Sequence, residues 1–163
     1  MKKKKIILVR HGKSSWEYDV SDPKRPLKNR GITDAHLVSK AFMAQGVSLD
    51  ALYSSPANRA FSTCEIFVKN LKLKLKDVTV LDELYDFDGN TVIKVIRSLN
   101  DSYNNVMIFG HNNAFTSICN IFGDTFIDNL PTSGLVAIDF DANSWRDIDK
   151  GTTSLTIFPR DLK

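Results

Sequence analysis

Short apolar runs recur along this chain and alternate with longer amphipathic stretches, and this alternation limits the folds open to it. The first run, at residues 6–9, is rich in β-branched side chains and contains no polar residue. Such a run is typical of a strand buried on both faces of a sheet. Strands that alternate with helices predict an α/β fold with a largely parallel sheet, to which the C-terminal strands add an antiparallel edge.

The predicted elements fill most of the chain. We expect strands at 5–9, 50–53, 78–81, 106–109, 135–140, 145–148 and 154–158. We expect helices at 33–45, from 54–56 onward, at 91–99 and at 114–122. Between the first strand and the first helix, residues 13–31 form a long polar loop, and long ordered loops in compact domains are often functional. The predicted fold is one α/β domain over 1–163, with helices on both faces of a mixed, mainly parallel sheet.

Composition and charge exclude several classes of protein. The chain has 163 residues, of which 42% are hydrophobic and 25% charged, and its net charge is +3. No stretch approaches the ~20 apolar residues of a membrane span. The lysines at 2–5 could attract a nucleic acid or an anionic membrane, but the run is short and has no aromatic neighbours. We interpret it as a solvated tail, and expect neither partner.

The two cysteines, Cys64 and Cys119, each lie within an apolar helical pattern. This placement predicts buried free thiols rather than a disulfide. Free thiols are typical of a reducing compartment, so we expect a cytoplasmic protein.

Polar residues follow three of the predicted strands. They are Arg10, His11 and Gly12 after the first strand, Ser54, Ser55, Pro56 and then Arg59 after the second, and Gly110 and His111 after the fourth. Because ligands of open α/β sheets bind beyond the carboxyl ends of the strands, we expect these side chains to converge.

This combination suits a phosphoryl group. Arginine offers a planar fork of donors that matches phosphate oxygens, and neutral histidine is a competent nucleophile. Arg59, near a helix N-terminus, would add the helix dipole. Gly12 would let the backbone approach closely after the nucleophile. A lone arginine or histidine is usually structural, so the prediction depends on the whole set.

Three segments resemble the motifs of the histidine phosphatase superfamily, which includes the phosphoglycerate mutases. Leu8-Val-Arg-His-Gly12 resembles the family's signature, Ser54–Thr63 resembles the motif that carries its second arginine, and Phe109-Gly-His-Asn112 resembles the third motif. The resemblance therefore implies a phosphoglycerate mutase-like fold.

Within the superfamily, the chain is most similar to the short SixA-like phosphohistidine phosphatases. The opening Arg10-His-Gly-Lys-Ser14 and the later Asp22-Pro-Lys-Arg-Pro-Leu27 with Gly31 resemble that branch. The resemblance implies that His11 is the nucleophile and that Arg10, Arg59 and His111 bind phosphate, without a metal or other cofactor.

The resemblance also implies a reaction through a phosphohistidine enzyme intermediate. The expected substrate is phosphohistidine on a protein such as a phosphotransfer domain. Two alternatives stay open: a phosphatase of small phosphorylated metabolites, and a phosphate-binding module without turnover.

The proton donor is an open question at this stage. In the mutases a glutamate after the third strand protonates the leaving alkoxide, and Glu83 is the best match here, with Asp82 as a second candidate. The SixA-like branch is not thought to depend on such an acid, and an imidazole leaving group can take its proton from solvent near pH 6.5. Glu83 is therefore either the acid or an exposed loop carboxylate.

Other residues carry weaker signals. His36 lies within the first helix, and the three histidines lack the clustered carboxylates or thiols of a metal site. Asp22 and Arg25 either shape the rim of the site or form a loop ion pair. Trp16 and Tyr18 either wall the pocket or pack the loop down. Thr132-Ser-Gly134 is a further candidate, because it could bring a hydroxyl or an N–H toward the phosphate.

Overall fold

The computed structural model describes residues 3–163 as one six-stranded sheet with helices on both faces. The strands are β1 (Lys3–Arg10), β2 (Ala51–Ser54), β3 (Val78–Val80), β4 (Asn105–Gly110), β5 (Leu135–Asp141) and β6 (Thr152–Ile157). The helices are α1 (Asn29–Met43), α2 (Asn58–Asn70), α3 (Asn90–Arg97) and α4 (Ala114–Phe122). None of the helices in the described range is long and apolar enough to cross a membrane.

The strand order is β3-β2-β4-β1-β5-β6. The pairings of β3 with β2, β2 with β4 and β4 with β1 are parallel, whereas β5 pairs antiparallel with both β1 and β6. This order confirms the predicted mixed, mainly parallel sheet and its antiparallel C-terminal addition.

The central strand β1 divides the interior into two apolar clusters. Ile6 and Leu8 pack on one face with residues of α3 and α4. Ile7 and Val9 pack on the other with residues of α1 and α2. Because successive side chains of a strand point to opposite faces, an unbroken apolar run is the sequence of a strand covered on both sides. Burying each such side chain stabilises the fold by about 1.5–3 kcal/mol.

Two of the predicted helix starts were wrong. Helix α1 begins at Asn29, four residues before the predicted 33, because Gly31 lies in its first turn and packs against the backbone of Lys13 instead of ending the loop. Helix α2 begins at Asn58, so Pro56 precedes it. There the Ser55 hydroxyl accepts a hydrogen bond from the Ala57 N–H, which makes a turn ahead of the helix.

The predicted strand at 145–148 was also wrong, because Trp145–Asp147 is a short 3₁₀ turn. Trp145 is fully buried, and its indole N–H donates to the carbonyl of Tyr103 at 2.9 Å. A turn with a buried side chain and a short strand have the same apolar pattern in the sequence, which explains the error.

The lysine run is not a solvated tail over the residues that the structure describes. Lys3, Lys4 and Lys5 belong to β1, and Lys2 lies outside the described range. Lys4 is fully buried, and its Nζ donates to the carbonyls of Asp101 (2.6 Å) and Tyr103 (3.0 Å). These bonds satisfy an ammonium group that would otherwise be costly to bury.

Cys64 and Cys119 are free and buried, as predicted. Burial raises the pKa of each thiol to about 12, so both are protonated at neutral pH.

Candidate active site

The sheet register brings the three motif-bearing strands to one edge. Arg10 at the end of β1 pairs with Gly110 at the end of β4, and Ser54 at the end of β2 pairs with Phe109. The strands thus end at nearly the same level, and the residues that follow them lie side by side. The rings of His11 and His111 have centroids 5.4 Å apart. The predicted convergence of the motifs is therefore present in the fold.

A cleft of about 310 Å³ opens at this edge. Its walls are formed by Arg10, His11, Lys13, Ser14, Trp16, Asp22, Arg25, Arg59, Phe87 and Thr132. Four of these side chains are cationic and one is a carboxylate, so the cleft is built for an anion.

His11 is held in the tautomer that a nucleophile needs. Its Nδ1 lies 2.7 Å from the carbonyl oxygen of Gly12. A carbonyl only accepts, so Nδ1 carries the ring proton and Nε2 keeps its lone pair. Burial lowers the pKa of His11 to about 4, against the raising effect of the Gly12 hydrogen bond and with help from the charges of Arg59, Arg10 and Arg25. His11 is therefore neutral at pH 7.

Arg10 and Arg59 line the same cleft as His11 and come from two different elements. The Nη1 of Arg10 donates to the carbonyl of Leu130 at 2.8 Å, while its Nε is buried and has no hydrogen-bond partner among the described residues. Burial, followed by the charge of Arg59, lowers the pKa of Arg10. Arg59 is the second residue of α2 and is buried. Both guanidinium groups line the cleft.

The long loop contributes Asp22, which holds two arginines. The Nη2 of Arg59 lies 3.0 Å from Asp22 Oδ2, its Nη1 donates to the Asp22 carbonyl at 2.8 Å, and the Nη1 of Arg25 donates to Oδ1 at 3.1 Å. The hydroxyl of Tyr85 also donates to Oδ2. Both interpretations of Asp22 and Arg25 thus apply, since this ion pair forms part of the cleft wall.

Asp22 is ionised over the whole neutral range. Burial alone would raise the pKa of its carboxyl, but the hydrogen bonds from Tyr85, Arg25 and Arg59 outweigh that effect and lower the pKa to about 2. Asp22 is therefore a hydrogen-bond acceptor in the cleft, not a proton donor.

His111 is fully buried beside Ser55. Its Nε2 lies 2.8 Å from the Ser55 Oγ, which already accepts from the Ala57 N–H. The serine hydroxyl can still donate its hydrogen to Nε2, and in that tautomer the ring proton of His111 is on Nδ1. That Nδ1 is buried without a hydrogen-bond partner in the described part of the chain. Burial, then the charges of His11 and Arg59, lowers the pKa of His111 to about 3.

Gly12 is buried and does not line the cleft. A Cβ at this position would lie 2.9 Å from the Gly31 carbonyl oxygen and 3.1 Å from the Ser133 Oγ. The missing side chain thus makes room for α1 and for the segment before β5, while the Gly12 N–H donates to the Thr63 Oγ1 at 2.9 Å. Within the Thr132-Ser-Gly134 segment, Thr132 lines the cleft, and the Ser133 N–H donates to the His11 carbonyl at 3.0 Å.

Glu83 and Asp82 lie in an exposed 3₁₀ turn, Asp82–Leu84, and neither is among the residues that line the cleft. The same segment instead brings Tyr85 to Asp22 and Phe87 to the cleft wall. Neither aromatic residue was predicted as part of the site, because the only signal in the sequence is that both follow the third strand. Trp16 lines the cleft and stacks on Arg25, 3.1 Å from ring centre to guanidinium carbon, whereas Tyr18 does not line it.

Comparisons with known proteins agree with this geometry. The sequence profile of the histidine phosphatase superfamily (branch 1) matches residues 6–115, the part of the chain that holds both arginines and both histidines of the motifs. Rv1276c from Mycobacterium tuberculosis (strain ATCC 25618 / H37Rv) is 25% identical over 160 residues, which cover 92% of this chain and 98% of that protein.

Two further comparisons concern proteins of named activity. A structure of the protein histidine phosphatase SixA complexed with tungstate matches with a TM-score of 0.80 at 24% identity, and the match covers 98% of this chain and 99% of that one. A 2,3-bisphosphoglycerate-dependent phosphoglycerate mutase from Azorhizobium caulinodans is 32% identical over 73 residues, 42% of this chain and 34% of the mutase. With the profile covering most of the chain, the protein belongs to the histidine phosphatase superfamily.

Proposed function

We propose that the protein is a phosphatase in which His11 accepts the phosphoryl group. Nε2 of His11 attacks phosphorus, and the bond from phosphorus to the leaving group breaks as the new N–P bond forms. Water then attacks the phosphohistidine, releasing inorganic phosphate and restoring neutral His11. Arg10, Arg59 and His111 stabilise the charge on the transferring oxygens, the main contribution of a protein to this kind of reaction.

The observation that carries this proposal is the hydrogen bond from His11 Nδ1 to the Gly12 carbonyl. It leaves Nε2 unprotonated in a cleft that also holds three guanidinium groups. The unpartnered Arg10 Nε and His111 Nδ1 supply further donors for phosphate oxygens. A module that only bound phosphate would need the cations but not a histidine fixed in this tautomer.

We further propose that the substrate is phosphohistidine on a protein, such as a phosphotransfer domain. Among the residues lining the cleft, Asp22 is the one carboxyl group, and it is ionised. An alkoxide leaving group needs a positioned acid. An imidazole can instead take a proton from solvent. The lack of an acid among these lining residues therefore favours an N–P bond over an ester, and the SixA neighbour is named as a protein histidine phosphatase.

Hydrolysis of small phosphorylated metabolites is the second candidate. The match to a phosphoglycerate mutase supports it, although that match covers only 42% of this chain. Glu83 would be the acid for such esters, and from its exposed turn it would have to act after the segment moves.

The test compares a histidine-phosphorylated phosphotransfer domain, a chromogenic phosphate ester and phosphoglycerates as substrates, with EDTA present. We expect turnover to survive the chelator and the phosphohistidine protein to be the best substrate. His11→Ala should lose measurable turnover with an unchanged circular dichroism spectrum. Labelled phosphate trapped on the protein after an acid-free quench should be found on the parent and not on this variant.

Two results would contradict the proposal. Label on a serine or a cysteine would exclude His11 as the nucleophile. Activity lost to EDTA and restored by one divalent metal would overturn the metal-free mechanism.

A further inference from the structure

A second cavity, which we call the loop groove, lies beside the cleft and is larger, at about 840 Å³. It is formed mainly by the loop between β1 and α1 and the first two residues of α1, at residues 15–30, with Asn58 from the start of α2. The ends of this loop are fastened together, since Ser14 and Leu27 form an antiparallel bridge and the Ser15 N–H donates to the Pro26 carbonyl at 2.8 Å. These hydrogen bonds therefore fix the shape of the groove at the edge of the candidate active site.

The two cavities share one wall, and successive residues of that wall face alternate sides. Ser14 and Trp16 line the cleft, whereas Ser15 and Glu17 line the loop groove. The same alternation separates Arg25 from Lys24 and Arg59 from Asn58, with the arginines on the cleft side. A substrate whose phosphoryl group reaches His11 can therefore lay the rest of its surface across this wall and into the groove.

The charge of the loop groove is mainly positive. Lys24, Lys28 and Arg30 line it against one carboxylate, Glu17. Arg30 reaches Asp34 at 3.5 Å, but the ammonium groups of Lys24 and Lys28 are exposed and form no ion pair with any residue in the range 3–163. Unpaired cations on a rim steer partners of opposite charge and speed their association.

Apolar side chains lie between these cations. Tyr18 is 58% exposed and Val20 43% exposed, and both line the loop groove with Pro26 and Leu27. Exposed apolar side chains grouped in a concave, charged surface are typical of a protein-binding site rather than a site for a small ion. A phosphate bound at His11 does not need this surface.

Resting on the proposed function, we propose that the loop groove docks the phosphorylated protein itself. It binds a surface of the partner that is acidic around an apolar patch and that adjoins the phosphohistidine. The cleft then recognises the phosphoryl group, and the groove selects the protein that carries it. Small phosphoramidates use the cleft alone.

The test uses two substrates with the same N–P bond but different sizes. One is a histidine-phosphorylated phosphotransfer domain of net negative charge, and the other is N-phosphoimidazole. In the double variant Lys24→Glu/Lys28→Glu, we expect kcat/KM for the domain to fall at least about tenfold, because the rim charges now repel the partner. Hydrolysis of N-phosphoimidazole should stay within about twofold, since that substrate does not reach the groove.

The double variant Lys74→Glu/Lys76→Glu is the matched control, because both lysines are exposed and line neither cavity. It should leave both substrates unaffected. Replacing acidic surface residues of the phosphotransfer domain by lysine should restore its hydrolysis by Lys24→Glu/Lys28→Glu and weaken it with the parent enzyme.

The docking inference is wrong if Lys24→Glu/Lys28→Glu hydrolyses the acidic domain as fast as the parent does. It is also wrong if both substrates lose activity equally, because the substitutions would then act on the cleft. A parent enzyme that hydrolyses phosphate esters but no phosphohistidine would instead refute the proposed substrate. The two failures therefore give different results.

Discussion

Asp22 connects the long loop to the arginines of the cleft. It accepts hydrogen bonds from Arg59, Arg25 and Tyr85 and lines the same cleft as His11. A phosphoryl group that binds there meets arginines already shared with a protein carboxylate. Asp22 therefore both orients Arg59 and opposes the anion that Arg59 is expected to bind.

We predict that Asp22→Asn strengthens the binding of oxyanion inhibitors. Removing one negative charge from the cleft should lower the Ki of tungstate or vanadate roughly tenfold, which corresponds to about 1.4 kcal/mol, within the range for two like charges that share a partly exposed cleft. Tyr85→Phe is the control, because it removes one hydrogen bond to Asp22 and leaves the charge. It should not tighten inhibitor binding. Weaker tungstate binding by Asp22→Asn would mean that the carboxylate mainly positions Arg59.

The contacts of Asp22 also show which parts of the site could not be predicted from the sequence. His11, Arg59 and His111 were predictable because each follows the end of a strand, and parallel strands end at one edge of a sheet. The bond between Tyr85 and Asp22 joins residues 63 positions apart. Both lie in irregular segments, where neither hydrophobic period nor strand order indicates which side chains meet.

At the scale of elements, α1 packs closely against the loop that follows His11. Gly31, in the first turn of α1, lies against the backbone of Lys13, two residues after His11. A Cβ at Gly31 would lie 2.8 Å from the Lys13 nitrogen and closer still to its carbonyl oxygen. Since both are backbone atoms, they cannot rotate away as a side chain could.

We predict that Gly31→Ala destabilises the protein, although alanine is the better helix former by about 1 kcal/mol. The clash with the Lys13 backbone should outweigh that gain and give a net loss of about 1–3 kcal/mol, the usual cost of overpacking. Urea denaturation measures the change. Thr33→Ala, at an exposed position of the same helix, should be neutral or slightly stabilising. If Gly31→Ala and the parent have the same free energy of unfolding, the backbone at Lys13 can move aside without destabilising the protein.

All six strands of the sheet and helices α3 and α4 were predicted to within two residues at each end. Apolar runs and helical periodicity are strong signals there. The starts of α1 and α2 depend on Gly31 and on the Ser55 turn, whose roles come from contacts made after folding. Trp145 was assigned to a strand because an apolar pattern alone does not distinguish a buried side chain in a turn from one in a strand.

For the whole molecule, the two buried histidines connect the site to stability. The pKa of His11 is lowered by burial to about 4 and that of His111 to about 3, against an ordinary value of about 6.5 in an unfolded chain. Between about pH 6.5 and pH 4, the unfolded state therefore binds more protons than the folded state. The free energy of unfolding must decrease as the pH falls through this range.

We predict that the loss between pH 7 and pH 4.5 amounts to several kcal/mol. The double variant His11→Gln/His111→Gln should lose much less over the same range, because neither glutamine titrates. Urea denaturation of both proteins at several pH values measures the difference. Parallel stability curves for parent and variant would show that these histidines do not govern the acid sensitivity. Added phosphate should flatten the parent's curve if a bound anion favours protonated histidine.

The bridge between Ser14 and Leu27 and the contacts of Asp22 with Arg59 and Tyr85 hold the enclosed loop in place outside residues 16–21. Its two ends meet on the sheet side, so insertions or deletions among residues 16–21 need not strain β1 or α1, and the entropic cost of a longer loop grows slowly with its length. Relatives that share the strand-end residues can therefore differ freely here. Grafting this short segment between two such proteins would exchange Glu17, Tyr18 and Val20 of the loop groove and leave the strand-end residues of the cleft unchanged.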